Sequence, residues 1–160
     1  MLQQKDEEIH IKLENLKQIV IEENTKILES LEEKVQKKYE EKEKELLNKI
    51  QNVQYYSRAS VAHIQGLIFG FNEYEIEAAT YYVNAAEYYF LNSDDYNLSI
   101  VCGNLINREK NLISLDLQNN KGKKFISDLK ALLNKLKKDQ NSGTARKLVH
   151  DIETAFYSLL

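Results

Sequence analysis

Residues 5–53 read KDEEIHIKLENLKQIVIEENTKILESLEEKVQKKYEEKEKELLNKIQNV and contain neither glycine nor proline, the residues that most often interrupt a helix. Apolar residues recur in them every three or four positions, the spacing of one helix face. The residues with this spacing are Ile9, Leu13, Leu16, Val20, Ile27, Leu31, Val35, Tyr39, Leu46, Ile50 and Val53. The spacing predicts one long helix.

This predicted helix departs from a regular coiled coil. Repeated steps of four raise the mean period above 3.5 residues, towards about 3.6–3.7, and residues 32–45 are almost wholly charged. Glu-to-Lys pairs four residues apart, such as Glu8 with Lys12 and Glu45 with Lys49, favour an exposed helix. We therefore predict a coiled-coil-like spacer, or a homo-oligomer formed through residues 5–53. The alternative is one helix of an antiparallel bundle.

The composition of the whole chain predicts an all-α protein. Its 160 residues include no proline and five glycines, whereas a β-rich chain of this length would need many tight turns. The composition changes at Tyr55, since eight of the ten tyrosines lie between Tyr55 and Tyr96. We predict two parts, an extended charged helix over residues 1–54 and a compact helical domain of antiparallel helix pairs over residues 55–160.

The tyrosine-rich region has the pattern of a helical hairpin. Residues 59–70 and 74–91 have helical character and flank a break at residues 71–73, where Asn72 is the predicted N-cap with Glu75 in capping-box spacing. Small residues alternate with aromatic ones, as two closely crossing helices require. The small residues are Gly66, Ala78, Ala79, Ala85 and Ala86.

One unit of this hairpin, about residues 59–92, resembles a tetratricopeptide repeat. The residues that match the spacing of the family are Gly66, Phe69, Ala78, Tyr82 and Ala85. Ala62 and Gln65 stand where the family prefers tryptophan and leucine, and no proline closes the unit. The resemblance implies a concave partner-binding surface, with His63, Gln65 and Asn72 as candidate contacts. A helical hairpin outside this family is the alternative.

The tyrosine doublets allow two interpretations. In Tyr81-Tyr82 and in Tyr88-Tyr89, one ring can enter the core while its neighbour points aside. The outer rings are then either core residues whose hydroxyls reach water or members of an exposed protein-binding patch. Tyr81 and Tyr88 are therefore candidate contact residues.

The C-terminal third is basic and helical. We predict a loop over residues 92–95 that ends in good N-caps and starts a third helix through Ile100, Leu105, Leu112 and Leu115, and residues 119–122 end that helix. We also predict an amphipathic helix over residues 123–138, a turn over residues 140–144 and a last helix over residues 145–160. Residues 121–160 carry a net charge of +5, against −5 for residues 55–120. The helix 123–138 could therefore dock on an anionic membrane surface or in a partner groove. The alternative places its apolar stripe in the core.

The sequence contains no pattern typical of catalysis, of a metal site or of a cofactor site. His10, His63 and His150 lack the spacing of a helical metal site, and Cys102 has no basic neighbour in sequence. Lys121-Gly122-Lys123 is not a phosphate-binding loop. Aromatic residues and bases lie in different parts of the chain, against a nucleic-acid partner. We expect no catalytic residues, no cofactor, no metal, no nucleic acid and no enzymatic activity.

These observations predict a protein-interaction or scaffold module. Its partner would be another protein, and its N-terminal helix would act as an oligomerising or spacer element. The alternative is a protein that docks on a membrane surface through helix 123–138. A single cysteine, the lack of an N-terminal leader pattern and the lack of an apolar stretch of about 20 residues favour the cytoplasm, with or without membrane attachment through a segment outside this chain.

Overall fold

The computed structural model describes residues 2–139 and 142–160, of which residues 2–5 are described as backbone alone. All regular secondary structure in this part of the chain is helical, so the predicted all-α class is confirmed. The six helices are α1 (Leu2–Phe71), α2 (Glu75–Leu91), α3 (Asp95–Ile106), α4 (Glu109–Ile113), α5 (Asn120–Lys138) and α6 (Gly143–Ala155).

The chain divides into two units, Met1–Lys49 and Ile50–Leu160. In the first unit every described side chain is exposed, and the large apolar ones expose 50–71% of their surface. The predicted pairs are present, since Glu8 lies 3.6 Å from Lys12 and Glu45 lies 2.7 Å from Lys49. Such pairs add about 0.2–0.5 kcal/mol each to an exposed helix. The predicted boundary between residues 54 and 55 falls inside α1 and stays a prediction.

In the second unit, residues 50–71 of α1 pack antiparallel to α2. The ring of Tyr55 stacks on Tyr88 near one end, and the ring of Phe69 stacks on Tyr81 towards the other. The predicted hairpin is therefore confirmed. Small buried residues on α1 allow this close approach: Ala59, Ala62 and Gly66.

The turn of the hairpin differs from the prediction. Tyr74, not Asn72, is the N-cap of α2, and it makes no side-chain cap hydrogen bond. The Asn72 side chain instead donates to the Ile68 carbonyl at 2.8 Å, which closes the C-terminus of α1. Glu73 has a positive φ of 63° and reverses the chain after Asn72, so Asn72 closes the end of α1 and does not begin α2. Glu75 pairs with Arg108 and takes no part in a capping box.

The predicted third helix is two helices. Asp94 caps α3 by accepting from the Asn97 backbone N–H at 3.1 Å, as the loop pattern predicted. The helix ends at Ile106, and α4 begins at Glu109. Arg108 lies between them, and its guanidinium reaches back to the carbonyl of Gly70 and to Glu75. The apolar spacing predicted a continuous helix because local spacing carries no information about this distant contact.

The boundaries of the last two helices also differ. Residues 119–122, predicted to end a helix, begin α5, because Asn119 accepts from the Gly122 backbone N–H at 2.9 Å. Ser142 caps α6 in the same way by accepting from Ala145 at 3.0 Å. In the predicted turn over residues 140–144, residues 140 and 141 lie outside the described residues. The last helix ends at Ala155, short of the predicted residue 160.

The core of the second unit forms around α2, which packs against α3, α4 and α5, while α6 packs on α3 and α5. None of the helices in the described part of the chain combines the length and the apolar character needed to cross a lipid bilayer. The largest fully buried side chains are Tyr82, Phe125, Phe156, Leu98, Leu105, Leu112, Leu129, Leu132, Leu136 and Ile152.

Candidate functional site

The hairpin carries an open groove of about 480 Å³ between residues 57–65 of α1 and the outward face of α2. A second groove of about 310 Å³ lies on the other side of α2, towards α5. Tyr81 and Asn84 line both, so the two grooves adjoin along α2. The other residues of the first groove that matter below are Arg58, Val61, Gln65 and Tyr88.

Helical spacing explains why α2 presents these side chains together. Residues 77, 81, 84 and 88 follow one another at intervals of four, three and four, so they lie on one helix face. The buried residues Ala78, Ala85 and Tyr89 each lie one position further along, on the face towards the core. All four outward residues are half-buried, so they line the groove instead of standing free.

Two aromatic contacts hold the groove rings in place. The ring of Tyr88 stacks on Tyr55 with centroids 6.3 Å apart, and the Arg58 guanidinium lies 5.8 Å from the Tyr88 centroid. The ring of Tyr81 stacks on Phe69 at 5.2 Å, with only 12° between the planes. Stacked rings lose little further freedom when a ligand binds, which lowers the entropic cost of binding. The groove is therefore partly preorganised.

Ion pairs dominate the electrostatics of the second groove. Lys121 donates to Glu77 at 2.5 Å, and this hydrogen bond lowers the pKa of Glu77 and raises the pKa of Lys121. Lys124 donates to Asp128 at 2.6 Å. The cations of this groove are therefore partly neutralised by acidic residues within the unit.

The structure brings together three of the five predicted contact residues, namely Gln65, Tyr81 and Tyr88 in the first groove. Asn72 lies apart from them, exposed in the turn between α1 and α2. Whether any of the five contacts a partner stays a prediction.

His63 points away from this groove towards α3. Its Nε2 lies 3.0 Å from Nδ2 of Asn104, and the rings of Tyr82 and Tyr89 meet it edge-on at 6.1 and 6.2 Å. Burial lowers the pKa of His63. The contacts of His63 therefore lie within the unit and join α1 to α3.

Five residues that line the groove were not predicted from the sequence: Ser57, Arg58, Val61, Ala62 and Asn84. Their helical spacing was nevertheless readable. Asn84 lies three residues after Tyr81 and four before Tyr88, and Arg58 lies one heptad before Gln65. What could not be read from spacing was which face of α1 meets which face of α2.

A polar cluster on the other side of the hairpin joins it to the segment between α3 and α4. Nη1 of Arg108 donates to both carboxylate oxygens of Glu75, at 2.9 and 2.8 Å, and to the Gly70 carbonyl at 3.2 Å. Asn111 donates to the same carboxylate at 2.9 Å. The hydrogen bond to Glu75 raises the pKa of Arg108. These hydrogen bonds tie the end of α1 and the start of α2 to the segment between α3 and α4, so the cluster is a structural clamp.

The basic helix α5 turns its apolar stripe into the core, where Phe125, Leu129, Leu132 and Leu136 are fully buried. Four of its lysines pair with acidic residues. These pairs are Lys121 with Glu77, Lys124 with Asp128, Lys135 with Glu87 and Lys137 with Glu153. The apolar stripe is therefore hidden from solvent, and these four lysines are ion-paired within the unit.

Two observations bear on reactive chemistry. Burial raises the pKa of the Cys102 thiol to about 12, so this cysteine is a core residue and not a nucleophile. Within residues 2–139 and 142–160, no cluster of three or more His, Cys, Asp or Glu side chains could hold a metal ion.

The described residues define an all-α protein in which the long N-terminal helix α1 is followed by five shorter helices. The C-terminal part of α1 packs together with them. Comparison of the chain with protein-family models, with curated proteins and with solved structures finds no match.

Proposed function

We propose that this chain is a non-enzymatic interaction or scaffold protein that self-associates through α1 and binds another protein through the hairpin groove. The observation that carries the proposal is the exposed apolar surface of α1. Over residues 6–53 its large apolar side chains expose at least 50% of their surface. Exposed apolar surface on this scale is typical of protein-interaction sites.

The hairpin groove supports the second half of the proposal. Tyrosine and arginine are enriched among the residues that dominate binding energy, and Tyr81, Tyr88 and Arg58 meet in this groove. Gln65 and Asn84 add amide donors and acceptors for a peptide backbone. We infer a segment of another protein as the ligand of this groove.

The packing of the hairpin favours a repeat-like unit of the tetratricopeptide kind. Ala78, Tyr82 and Ala85 are buried, and the ring of Tyr82 lies against Gly66. These are the positions on which the resemblance rests.

As part of the same proposal, we place the protein in the cytoplasm. Docking on a membrane surface would have to use lysines alone, because the apolar stripe of α5 is in the core.

Charge substitutions in the exposed apolar surface test self-association. Leu16→Glu and Leu31→Glu introduce charge where the proposal places an interface, and sedimentation velocity should show a smaller species than for the unchanged chain. Lys37→Glu, on the other side of the helix, is the matched control and should leave sedimentation unchanged. Equal sedimentation of the unchanged chain and of all three variants would contradict the proposal.

A displayed peptide library tests the groove. Peptides selected on the full chain should bind Tyr88→Ala at least about tenfold more weakly, a loss of roughly 1.4 kcal/mol. Tyr96→Ala is the matched control, because Tyr96 is 76% exposed and outside the groove. Circular dichroism would establish that both variants are folded. Selected peptides that bind Tyr88→Ala as tightly as the unchanged chain would contradict a binding role for the groove.

A further inference from the structure

α1 carries two separate rows of exposed apolar side chains. The N-terminal row, at 51–60% exposure, is Ile9, Leu13, Leu16, Val20, Ile27, Leu31 and Val35. The C-terminal row, at 54–88% exposure, is Leu46, Ile50, Val53, Val61, Ile64, Ile68 and Phe71. Each row has seven members, and charged residues separate them.

The C-terminal row remains exposed although the same stretch of α1 packs on α2. At 3.6 residues per turn, Ile64 and Ile68 lie on the side of the helix opposite to Ala62 and Gly66. Ala62 and Gly66 are buried in the hairpin, whereas Ile64 and Ile68 are 56% and 55% exposed. The domain thus leaves this row free for another occupant, and only its member Val61 also lines the hairpin groove.

We propose that the occupant of each row is a second copy of this chain, bound antiparallel, so that the N-terminal row of one copy lies on the C-terminal row of the other. This inference rests on the proposed self-association and adds its direction and register. It identifies a specific interaction surface, with the second copy as partner.

The spacing of the two rows supports this register. In a pair of antiparallel helices, the residue numbers of two facing positions add to a constant. Here every member of the N-terminal row faces a member of the C-terminal row of the second copy, at a sum of 80 or 81. The facing pairs are Ile9 with Phe71, Leu13 with Ile68, Leu16 with Ile64, Val20 with Val61, Ile27 with Val53, Leu31 with Ile50 and Val35 with Leu46.

The interruptions of the rows coincide as well. One turn of the N-terminal row, between Val20 and Ile27, has the polar Asn24 in place of an apolar member. One turn of the C-terminal row, between Val53 and Val61, likewise has Ser57. Asn24 and Ser57 add to 81, so the two polar residues would face each other. A polar residue placed opposite a polar residue avoids burying an unsatisfied group against apolar neighbours.

Charge complementarity favours the antiparallel direction. At the same sum of 81, Lys38 faces Glu43 of the second copy, and Glu32 faces Lys49 of the second copy. The two-fold symmetry makes each pair occur twice. A parallel pair in register would instead place Lys42 against Lys42 of the second copy, which is unfavourable.

The like-charged combinations at this sum lie elsewhere on the helix. Lys37 with Lys44 and Glu40 with Glu41 also add to 81. At 100° per residue, all four project at least about 120° away from Val35 and Leu46, the row members nearest to them. They would face solvent on the outer sides of the pair, where screening weakens their repulsion.

The area of the two rows suits a stable dimer. If each of the fourteen side chains loses about 50 Å² of apolar surface, each copy buries roughly 700 Å². A standard stable interface buries about 800 Å² per partner. A single row of seven would supply about half of that, so both rows are needed.

Disulfide crosslinking between two variants, each with one new cysteine in addition to the buried Cys102, tests the direction. Val35→Cys and Leu46→Cys, one carrying a size tag, are mixed and oxidised, and the products are separated without reductant. In the proposed register the two new cysteines face each other. Either variant alone would place its cysteines 11 residues, or roughly 16 Å, out of register, whereas a disulfide requires α-carbons within about 7 Å. The mixed disulfide should therefore exceed either homodisulfide by about tenfold.

Lys37→Cys mixed with Lys44→Cys is the matched control, because these positions have the same sum but point away from the rows. This pair should give little disulfide. Homodisulfides of Val35→Cys or Leu46→Cys at the level of the mixed product would overturn the antiparallel direction while leaving self-association in place. Absence of every disulfide, together with the mass of one chain in light scattering, would overturn both the direction and the self-association on which it rests.

Discussion

The ring of Tyr82 lies so close to Gly66 that a β-carbon on Gly66 would stand 2.6 Å from Cδ1 and Cε1 of the ring. Tyr82 is 1% exposed and therefore has no free space into which to move. This contact sets the distance between α1 and α2 in the hairpin. The groove on the outward side of the hairpin depends on the same distance.

Gly66→Ala should therefore destabilise the protein. Overpacking a well-filled core costs about 1–3 kcal/mol, of which about 1 kcal/mol is offset by the better helix propensity of alanine. The measurement is the free energy of unfolding in urea at one fixed protein concentration. Gly103→Ala is the matched control, since nothing lies within 4 Å of an added β-carbon there. We expect it to stabilise the protein by about 0.5–1 kcal/mol. A Gly66→Ala protein as stable as Gly103→Ala would contradict the account of this contact.

The hairpin itself could be predicted because its information is local. Small residues such as Gly66 and Ala78 recur at helical spacing among aromatic ones, and this pattern survives without tertiary context. The break between α3 and α4 could not be predicted, because it coincides with a contact of Arg108 to residues 33 and 38 positions away. Asn72 was placed on the wrong helix because Glu73 adopts a positive φ that the sequence did not show.

The Arg108–Glu75 pair should contribute measurably to stability. Their side chains are only 23% and 12% exposed, and Gly70 and Asn111 share the cluster. A double-mutant cycle with Arg108→Met and Glu75→Gln should give a coupling energy of about 1.5–3 kcal/mol, as for hydrogen bonds to charged groups.

The pair of Lys121 and Glu77 is the matched control for that cycle. Lys121 is 72% exposed, so solvent screens the interaction. Lys121→Met with Glu77→Gln should give a coupling energy of about 0–1 kcal/mol. Equal coupling in the two cycles would be inconsistent with a clamp at Arg108.

His63 should make stability depend on pH. Burial lowers its pKa below the ordinary 6.5, so the unfolded chain takes up a proton at higher pH than the folded one. The free energy of unfolding should therefore fall as the pH falls below about 6.5, and this contribution should level off below the lowered pKa. A proton on Nε2 would also remove the acceptor that Asn104 uses.

The measurement for His63 is urea unfolding between pH 7.5 and pH 5.5, compared with His63→Gln. The unchanged chain should lose stability more steeply than the variant over this interval, in which most carboxylates remain ionised. Parallel curves for the two proteins would show that His63 is not coupled to folding in this way.

Cys102 should be protected from thiol reagents. It is fully buried, and burial raises its pKa to about 12, so almost no thiolate forms at neutral pH. Labelling should be slow in buffer and rapid in denaturant. Lys37→Cys offers a comparison, since residue 37 is exposed and lies outside the proposed dimer contact, so its thiol should react at once. Rapid labelling of the folded, unchanged chain would show that α3 is not packed as described.

The candidate site could be predicted only in part. Tyr81 and Tyr88 were predicted from the tyrosine doublets and Gln65 from the resemblance to a tetratricopeptide repeat, and the structure brings them into one groove. His63 has the same local pattern but points towards Asn104, because the choice between the two sides of α1 depends on how α3 packs. The burial of the apolar stripe of α5 likewise depends on its contacts with α2 and α6.

The molar mass of the unchanged chain in solution, measured by light scattering behind a size-exclusion column, tests the proposed self-association most directly. Exposed apolar rows on α1 predict a species of twice the 18.7 kDa of one chain. That species should dissociate on dilution or when Leu31 is replaced by glutamate. A mass of 18.7 kDa over a wide range of protein concentration would contradict the account.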